Sequence, residues 1–125
     1  MSTSSSPLVG DAEPGDLCLT VESRSPVVVL TVAGEIDMLT AGQLEQMIRT
    51  ELAPRPRTVV VDLSKVEFLA SAGMNALLSA REVAADTTRF CVVATGNMTL
   101  RPLQIAGLTE YLAVFESLDA ALRQP

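Results

Sequence analysis

Ser71 is the residue whose neighbours in the sequence best equip it for chemistry. It follows a segment rich in valine and leucine and precedes apolar residues at helical spacing, so we predict that a helix begins here. A hydroxyl at that place lies beside unpaired backbone N–H groups and the positive end of the helix dipole, which stabilise a phosphate. Ala72 and Gly73 are small, so another protein could approach closely. On spacing alone, a serine that only caps the helix is the simpler interpretation.

Catalytic chemistry finds little support elsewhere in the chain. Histidine is absent, which excludes Ser-His and Cys-His nucleophile pairs and removes the commonest transition-metal ligand. The carboxylates of Glu35, Asp37 and Asp62 do not have the spacing of metal ligands. We therefore predict no metal site, no cofactor and no enzymatic activity.

The two cysteines, Cys18 and Cys91, are too few and too far apart in sequence for a disulfide scaffold or a zinc site. Each lies in an apolar strand pattern, which predicts a buried free thiol. A redox pair between them is the alternative.

The charge and the hydropathy of the chain argue against nucleic acids and membranes as binding partners. The net charge is −6 and the nine Lys and Arg residues are scattered, so we predict no nucleic-acid binding. The apolar runs at 27–30 and 59–61 are too short to cross a membrane, and the N-terminus lacks the pattern of a secretory signal. We expect a cytoplasmic protein without a membrane partner.

The chain length of 125 residues predicts one domain with one core. Residues 1–15 are rich in Ser, Pro, Gly and acidic residues and carry no periodicity, so we predict a disordered tail followed by a domain over 16–125. Apolar patterns predict strands over 17–22, 27–32, 58–63, 90–94 and 111–115. Helices are predicted to begin near residues 40, 71, 99 and 117.

The predicted order is β-β-α-β-α-β-α-β-α. Strands that alternate with helices need right-handed crossovers, so we predict a single-domain α/β fold with a mostly parallel central sheet. Gly34 is expected to end the second strand, and Thr40 and Gln43 have the spacing of a capping box. Gly107 is expected to close a short helix as a left-handed cap, and Ser117 to cap the last helix.

Several motifs in this order resemble the STAS family, the domain shared by bacterial anti-sigma factor antagonists and the tails of sulfate transporters. The matching residues are Gly34-Glu35-Ile36-Asp37, Thr40-Ala41, Asp62-Leu63-Ser64, Phe68-Leu69, Ser71, Gly73-Met74, Cys91-Val92-Val93 and Ile105-Ala106-Gly107-Leu108. The resemblance runs from about residue 16 to residue 123. It implies a STAS-like fold with an antiparallel N-terminal strand and about four helices.

The resemblance also implies a regulatory cycle. The unphosphorylated protein would bind an anti-sigma factor that is also a serine kinase of the histidine-kinase-like ATPase fold, and a sigma factor would be released for transcription. The kinase would phosphorylate Ser71 and dissociate, and a PP2C-type phosphatase would restore the active form. The chain would then be a substrate and a ligand, and its partner-binding residues would be Asp37, Thr40, Ala70, Ala72, Gly73, Met74 and Asn75. For Asp37, capping of its own loop is an equally open interpretation.

Two positions depart from the family pattern. Ala70 stands where the family has an aspartate, and Ala72 stands where serine or threonine is usual. These departures keep a second interpretation open, a STAS subunit without a phosphoswitch in a signalling scaffold or a lipid-transport complex. A third interpretation is an enzyme with a small-molecule site at the carboxyl edge of the sheet.

Overall fold

A five-stranded sheet organises residues 17–123, the part of the chain that this computed structural model describes. The strands are β1 (Cys18–Arg24), β2 (Val27–Ile36), β3 (Thr58–Leu69), β4 (Arg89–Val93) and β5 (Ala113–Phe115). The helices are α1 (Ala41–Leu52), α2 (Ser71–Ala84), α3 (Leu100–Ile105) and α4 (Leu118–Arg123), with a 3₁₀ turn over Leu108–Glu110. The predicted order and α/β class are confirmed. The predicted tail, residues 1–15, lies outside the described residues.

The sheet has strand order β1-β2-β3-β4-β5, with β1 antiparallel to β2 and every other pair parallel. This confirms the expected antiparallel N-terminal strand. Valine-rich segments form the centre because β-branched side chains pack well on a pleated surface that is covered on both sides. The larger core cluster joins the sheet to α1, α2 and α3, and a smaller cluster joins the opposite face to α4.

β2 and β3 are much longer than the sequence patterns predicted, whereas β5 lacks the first two residues of the predicted strand over 111–115. β2 continues through Gly34 to Ile36, so the prediction that Gly34 ends this strand is wrong. Gly34 has φ of +109°, and the register with β3 shifts between Gly34 and Glu35. β3 continues to Leu69 because its last residues pair with those of β2, up to Ile36 opposite Leu69. Backbone hydrogen bonds between the two strands thus stabilise a segment that looks like a loop in sequence.

The ends of the later helices follow the predictions more closely. Gly107 adopts the left-handed conformation with φ of +78°, as expected for a helix-closing glycine. The hydroxyl of Ser117 accepts a hydrogen bond from the backbone N–H of Ala120 at 3.0 Å, as expected of an N-cap. Among the described residues, no helix is both long and apolar enough to cross a membrane.

The cysteines lie on different strands. Cys91 is buried on β4, where burial raises the pKa of its thiol, while Cys18 is exposed on β1. The prediction of a buried thiol is therefore confirmed for Cys91 and wrong for Cys18. β2 and β3 separate the two strands, so the Cα atoms are more than about 14 Å apart at the usual strand spacing. A disulfide needs less than about 7 Å, so the structure excludes a redox pair within one molecule.

Candidate partner-binding site

The carboxyl ends of β2 and β3 bring two helix starts together. Ile36 and Leu69, the last residues of these strands, are opposite each other in the register. The backbone N–H of Ala70 donates a hydrogen bond to the carbonyl oxygen of Ile36 at 2.8 Å. The segment that leads into α1 and the first turn of α2 are therefore neighbours at one edge of the sheet.

Ser71 is the first residue of α2 and its side chain is exposed. The N-cap is Ala70, in the extended conformation with φ −85° and ψ 169°, and no side chain caps this helix. The interpretation of Ser71 as a capping serine is therefore wrong. The N–H groups of Gly73 and Met74 donate to the Ala70 carbonyl at 2.9 and 3.1 Å. Those of Ser71 and Ala72 have no acceptor within the helix, because an α-helix leaves its first donors unpaired.

Gly73 holds this helix start against the sheet. A Cβ atom at this position would lie 2.4 Å from Cγ2 of Ile36 and 2.8 Å from Cδ1 of Leu69. Both distances are far below van der Waals contact, so only glycine lets the first turn of α2 approach β2 and β3 this closely. Gly73 is buried, and it supports the surface from below instead of forming part of it.

The remaining predicted site residues of α2 differ in exposure. Ala72 and Met74 are half-buried and pack on the larger core cluster. Asn75 is exposed, and it lies one turn beyond Ser71, on the same helix face. Ser71 and Asn75 are thus the members of the predicted set on α2 that a partner could contact most directly.

The Asp37 loop, residues 37–40, is a dense local network. A carboxylate oxygen of Asp37 accepts hydrogen bonds from the backbone N–H groups of Leu39 at 2.9 Å and Thr40 at 3.0 Å. The Thr40 hydroxyl accepts from the N–H of Asp37 and donates to the carbonyl of Glu35, both at 2.9 Å. The N–H of Ala41 donates to the Asp37 carbonyl at 2.9 Å. Side chains of the loop therefore fix its own backbone.

This network corrects one prediction. Thr40 is the N-cap of α1, but no side-chain hydrogen bond caps the helix, so the capping box with Gln43 is wrong. The Thr40 hydroxyl binds the backbone of the loop instead, and Thr40 is only 3% exposed. Its predicted contact with a partner would be indirect. Asp37 is half-buried, and the backbone N–H of Thr40 makes the largest contribution to lowering the pKa of its carboxyl group.

The Asp37 loop also carries two residues that the sequence analysis missed. Met38 is 82% exposed and Leu39 is 88% exposed. They lie between the end of a strand and the cap of a helix, so neither belongs to an apolar face of an element. Two consecutive apolar residues between Asp37 and Thr40 are the signal that could have identified them.

Three cavities lie away from this edge of the sheet. Cavities of about 460 Å³ and 430 Å³ are lined by residues at the amino ends of the strands, among them Pro26 and Arg57. A third, of about 570 Å³, lies by Asp86 and Tyr111 beyond the end of α2. In residues 17–123, no three His, Cys, Asp or Glu side chains are grouped so that they could hold a metal ion. The surface with Ser71 and the Asp37 loop is shaped by exposed side chains, which suits another protein better than a small molecule.

Known protein families and solved structures include several matches to this chain. The sequence model of the STAS domain family matches residues 19–121 of this chain. The anti-sigma-F factor antagonist RsfB of Mycobacterium tuberculosis is 39% identical over 109 residues, which cover 87% of this chain and 89% of that protein.

Solved structures agree. An anti-sigma factor antagonist from Mycobacterium paratuberculosis superimposes with a TM-score of 0.83 and 41% identity, covering 89% of this chain and 95% of that one. The Bacillus cell fate determinant SpoIIAA in its phosphorylated form gives a TM-score of 0.61 at 18% identity, covering 84% of this chain and 97% of that one. At that identity, the second likeness concerns the fold alone.

Proposed function

Because this chain belongs to the STAS domain family, we propose that it is an anti-sigma factor antagonist, which binds an anti-sigma factor and so frees a sigma factor for transcription. Relatives at 39% and 41% identity over most of the chain bear the name of anti-sigma factor antagonists. One structural observation carries the proposal: the exposed Ser71 hydroxyl caps nothing and lies beside the Asp37 loop. We propose that this edge of the sheet binds the partner, through Asp37, Ala70, Ser71 and Asn75 at its surface, with Thr40, Ala72, Gly73 and Met74 supporting them.

Ser71 is the proposed phosphoacceptor. Its side chain is exposed at the first position of α2, so a kinase can reach the hydroxyl without unfolding the helix. A phosphate there would lie beside the N–H groups of Ser71 and Ala72, which have no acceptor within the helix, and beside the positive end of its dipole. The fold would therefore tolerate the modification.

The effect of phosphorylation would fall on the complex. A phosphate adds about −1.5 to −2 charges to a surface that already carries the Asp37 carboxylate. Covering that charge with a partner requires its desolvation, and a loss of about 3 kcal/mol would weaken binding by roughly two orders of magnitude. A change of that size is sufficient for a switch.

The proposed partners supply the chemistry. The anti-sigma factor is proposed to be a serine kinase of the histidine-kinase-like ATPase fold, which brings its own ATP and magnesium. A PP2C-type phosphatase is proposed to remove the phosphate. In this cycle, which we place in the cytoplasm, the chain acts as ligand and substrate and not as an enzyme.

Ala70 favours the second candidate function, a STAS subunit without a phosphoswitch. Its methyl side chain offers neither a charge nor a hydrogen-bond acceptor to a kinase or a phosphatase, although it directly precedes Ser71. A phosphorylation assay separates the two candidates.

The test mixes the purified protein with anti-sigma kinases from the same genome, magnesium and ATP, and maps phosphopeptides by mass spectrometry. Ser71→Ala is the test variant. Ser64→Ala is its matched control, because Ser64 is also exposed but lies on β3. We expect phosphate on Ser71 in the wild type and in Ser64→Ala, together with release of the kinase.

Three results would change the proposal. Binding without phosphate on Ser71 would favour the subunit without a phosphoswitch. Phosphate at another position would refute the assignment of the switch to Ser71. Failure to bind any anti-sigma factor would refute the antagonist function.

A further inference from the structure

Met38 and Leu39 expose more of their surface than any other large apolar residue between 17 and 123. Their exposed fractions are 82% and 88%, and the next is 74% at Ile105. Side chains this exposed pack against little of their own chain and add little to the stability of the fold. Adjacent exposed apolar side chains typically mark a site of interaction.

The backbone that carries them is fixed. The Asp37 carboxylate accepts the N–H groups of Leu39 and Thr40 at 2.9 and 3.0 Å, on either side of the Leu39 peptide unit. The buried Thr40 side chain closes the loop through its bonds to the backbone of Glu35 and Asp37. A loop that is already ordered loses little conformational entropy when it binds, which favours affinity.

The pair lies beside the proposed switch. Ile36, whose carbonyl oxygen accepts the N–H of Ala70 at 2.8 Å, is two residues before Met38. Ala70 is in turn the residue before Ser71. A protein that covers the first turn of α2 therefore also reaches the Asp37 loop.

We infer that Met38 and Leu39 are the apolar anchors through which this chain binds its anti-sigma factor, and that they enter an apolar pocket of that partner. The inference rests on the proposed function and adds the chemistry by which the partner is recognised. Methionine is enriched in protein interfaces, and anchors that fill desolvated pockets near the centre carry much of the binding energy. An anti-sigma factor with a polar surface at the matching place would leave both side chains in contact with its polar groups and would bind weakly, so the pair selects among anti-sigma factors.

The anchors also give the switch its sensitivity. When they enter the pocket, water is displaced from the neighbouring first turn of α2. A phosphate on Ser71 would then lose its hydration inside an apolar interface. Both this desolvation and the repulsion between the phosphate and the Asp37 carboxylate would oppose binding.

The test compares the wild type with the double variant Met38→Ser/Leu39→Ser, using an anti-sigma factor that the wild type binds. Calorimetry should show binding about a hundredfold weaker, or about 2.7 kcal/mol. The thermal unfolding midpoint should not change, because both side chains are exposed. Phosphorylation of Ser71 at limiting protein concentration should slow by a similar factor.

Two variants make the comparison specific. Tyr111→Ser removes another exposed apolar side chain, 59% exposed, that lies by Asp86 beyond the far end of α2, and it should bind like the wild type. Met38→Leu/Leu39→Met keeps the apolar character of both positions and should stay within about fivefold of the wild-type affinity.

The outcomes separate this inference from the proposed function. If the wild type binds and the double serine variant binds within threefold of it, the anchors are refuted while the antagonist function stands. If Tyr111→Ser weakens binding as much as the double variant does, a specific role for Met38 and Leu39 is also refuted. If the wild type binds no anti-sigma factor, both proposals fail together.

Discussion

The starts of α1 and α2 are adjacent at one edge of the sheet, yet their polar groups are used in opposite ways. Before α1, the side chains of Asp37 and Thr40 bind backbone groups of the same loop. At the start of α2, Ala70 offers no side-chain acceptor, and the Ser71 hydroxyl is exposed. The first start is rigid because its hydrogen bonds are made internally. The second has backbone N–H donors without an acceptor in the helix and a hydroxyl that can be modified. The loop before α1 is therefore the rigid part of this edge, and the first turn of α2 is the reactive part.

The largest effect is expected from removing the hydroxyl that organises the rigid start. Thr40→Val keeps the shape of this buried side chain but removes the bonds to the Glu35 carbonyl and the Asp37 N–H. We expect a loss of about 2 kcal/mol in the free energy of unfolding, measured by urea denaturation. Thr40→Ser, which keeps the hydroxyl, should lose less than about half of that. A Thr40→Val variant as stable as the wild type would show that the hydrogen bonds of the hydroxyl do not stabilise the fold.

The next largest loss of stability is expected from moving the first turn of α2 away from β2 and β3. Gly73→Ala introduces a Cβ atom 2.4 Å from Cγ2 of Ile36, a β-branched and fully buried residue with little freedom to move. Overpacking of this kind lowers the free energy of unfolding by about 1–3 kcal/mol, whereas the better helix propensity of alanine raises it by about 1 kcal/mol.

Gly42→Ala is the matched control for Gly73→Ala, since Gly42 is in α1 and a Cβ there would meet nothing within 4 Å. It should raise the free energy of unfolding by about 0.5–1 kcal/mol. A stabilised Gly73→Ala variant would mean that the contact between α2 and β2 is looser than the structure shows.

A smaller effect is expected from making the second start resemble the first. Ala70 has the backbone conformation of an N-cap, so an aspartate or asparagine there can accept an N–H group of α2. We expect Ala70→Asp and Ala70→Asn each to raise the free energy of unfolding by about 1 kcal/mol. Unchanged stability would show that the helix start is already satisfied by water.

The smallest effect is expected from the ionisation of Asp37 in the loop before α1. Hydrogen bonds from the loop lower the pKa of the Asp37 carboxyl in the folded protein, so the ionised form stabilises the fold. That stabilisation is present above the unfolded pKa of about 3.9 and is lost as the pH falls through the folded pKa. The wild type should therefore lose more stability than Asp37→Asn between about pH 5 and pH 2. Parallel stability profiles would contradict the role of the carboxylate.

Much of the fold could be predicted because it depends on local patterns. Runs of valine identified β2, β3 and β4, and apolar residues at helical spacing identified α1 and α2. The strand pattern that begins at Thr58 ends at Leu63, which predicts that Phe68 and Leu69 lie outside a strand, and only pairing with β2 makes them part of β3.

The site was predicted by motif, and its physical details were not. The change in periodicity predicts that Ser71 lies at the start of a helix. That Ser71 is the first residue of α2, directly after Ala70, depends on where the pairing of β2 with β3 ends, at Leu69. The spacing of Thr40 and Gln43 predicts a capping box, whereas the Thr40 hydroxyl binds the backbone of Glu35 and Asp37. Competing local hydrogen bonds cannot be ranked without the geometry of the backbone.

By itself, the sequence determined the class of fold, the order of its elements, the exclusion of histidine chemistry and the place of Ser71 at the start of a helix. Only the tertiary structure decided which residues lie beside that serine, why Gly73 must be glycine, and that Met38 and Leu39 face the solvent. The physical reason is range. Periodicity and composition act between neighbours along the chain, whereas exposure and close contact depend on strands that pair across more than thirty residues, as Ile36 and Leu69 do.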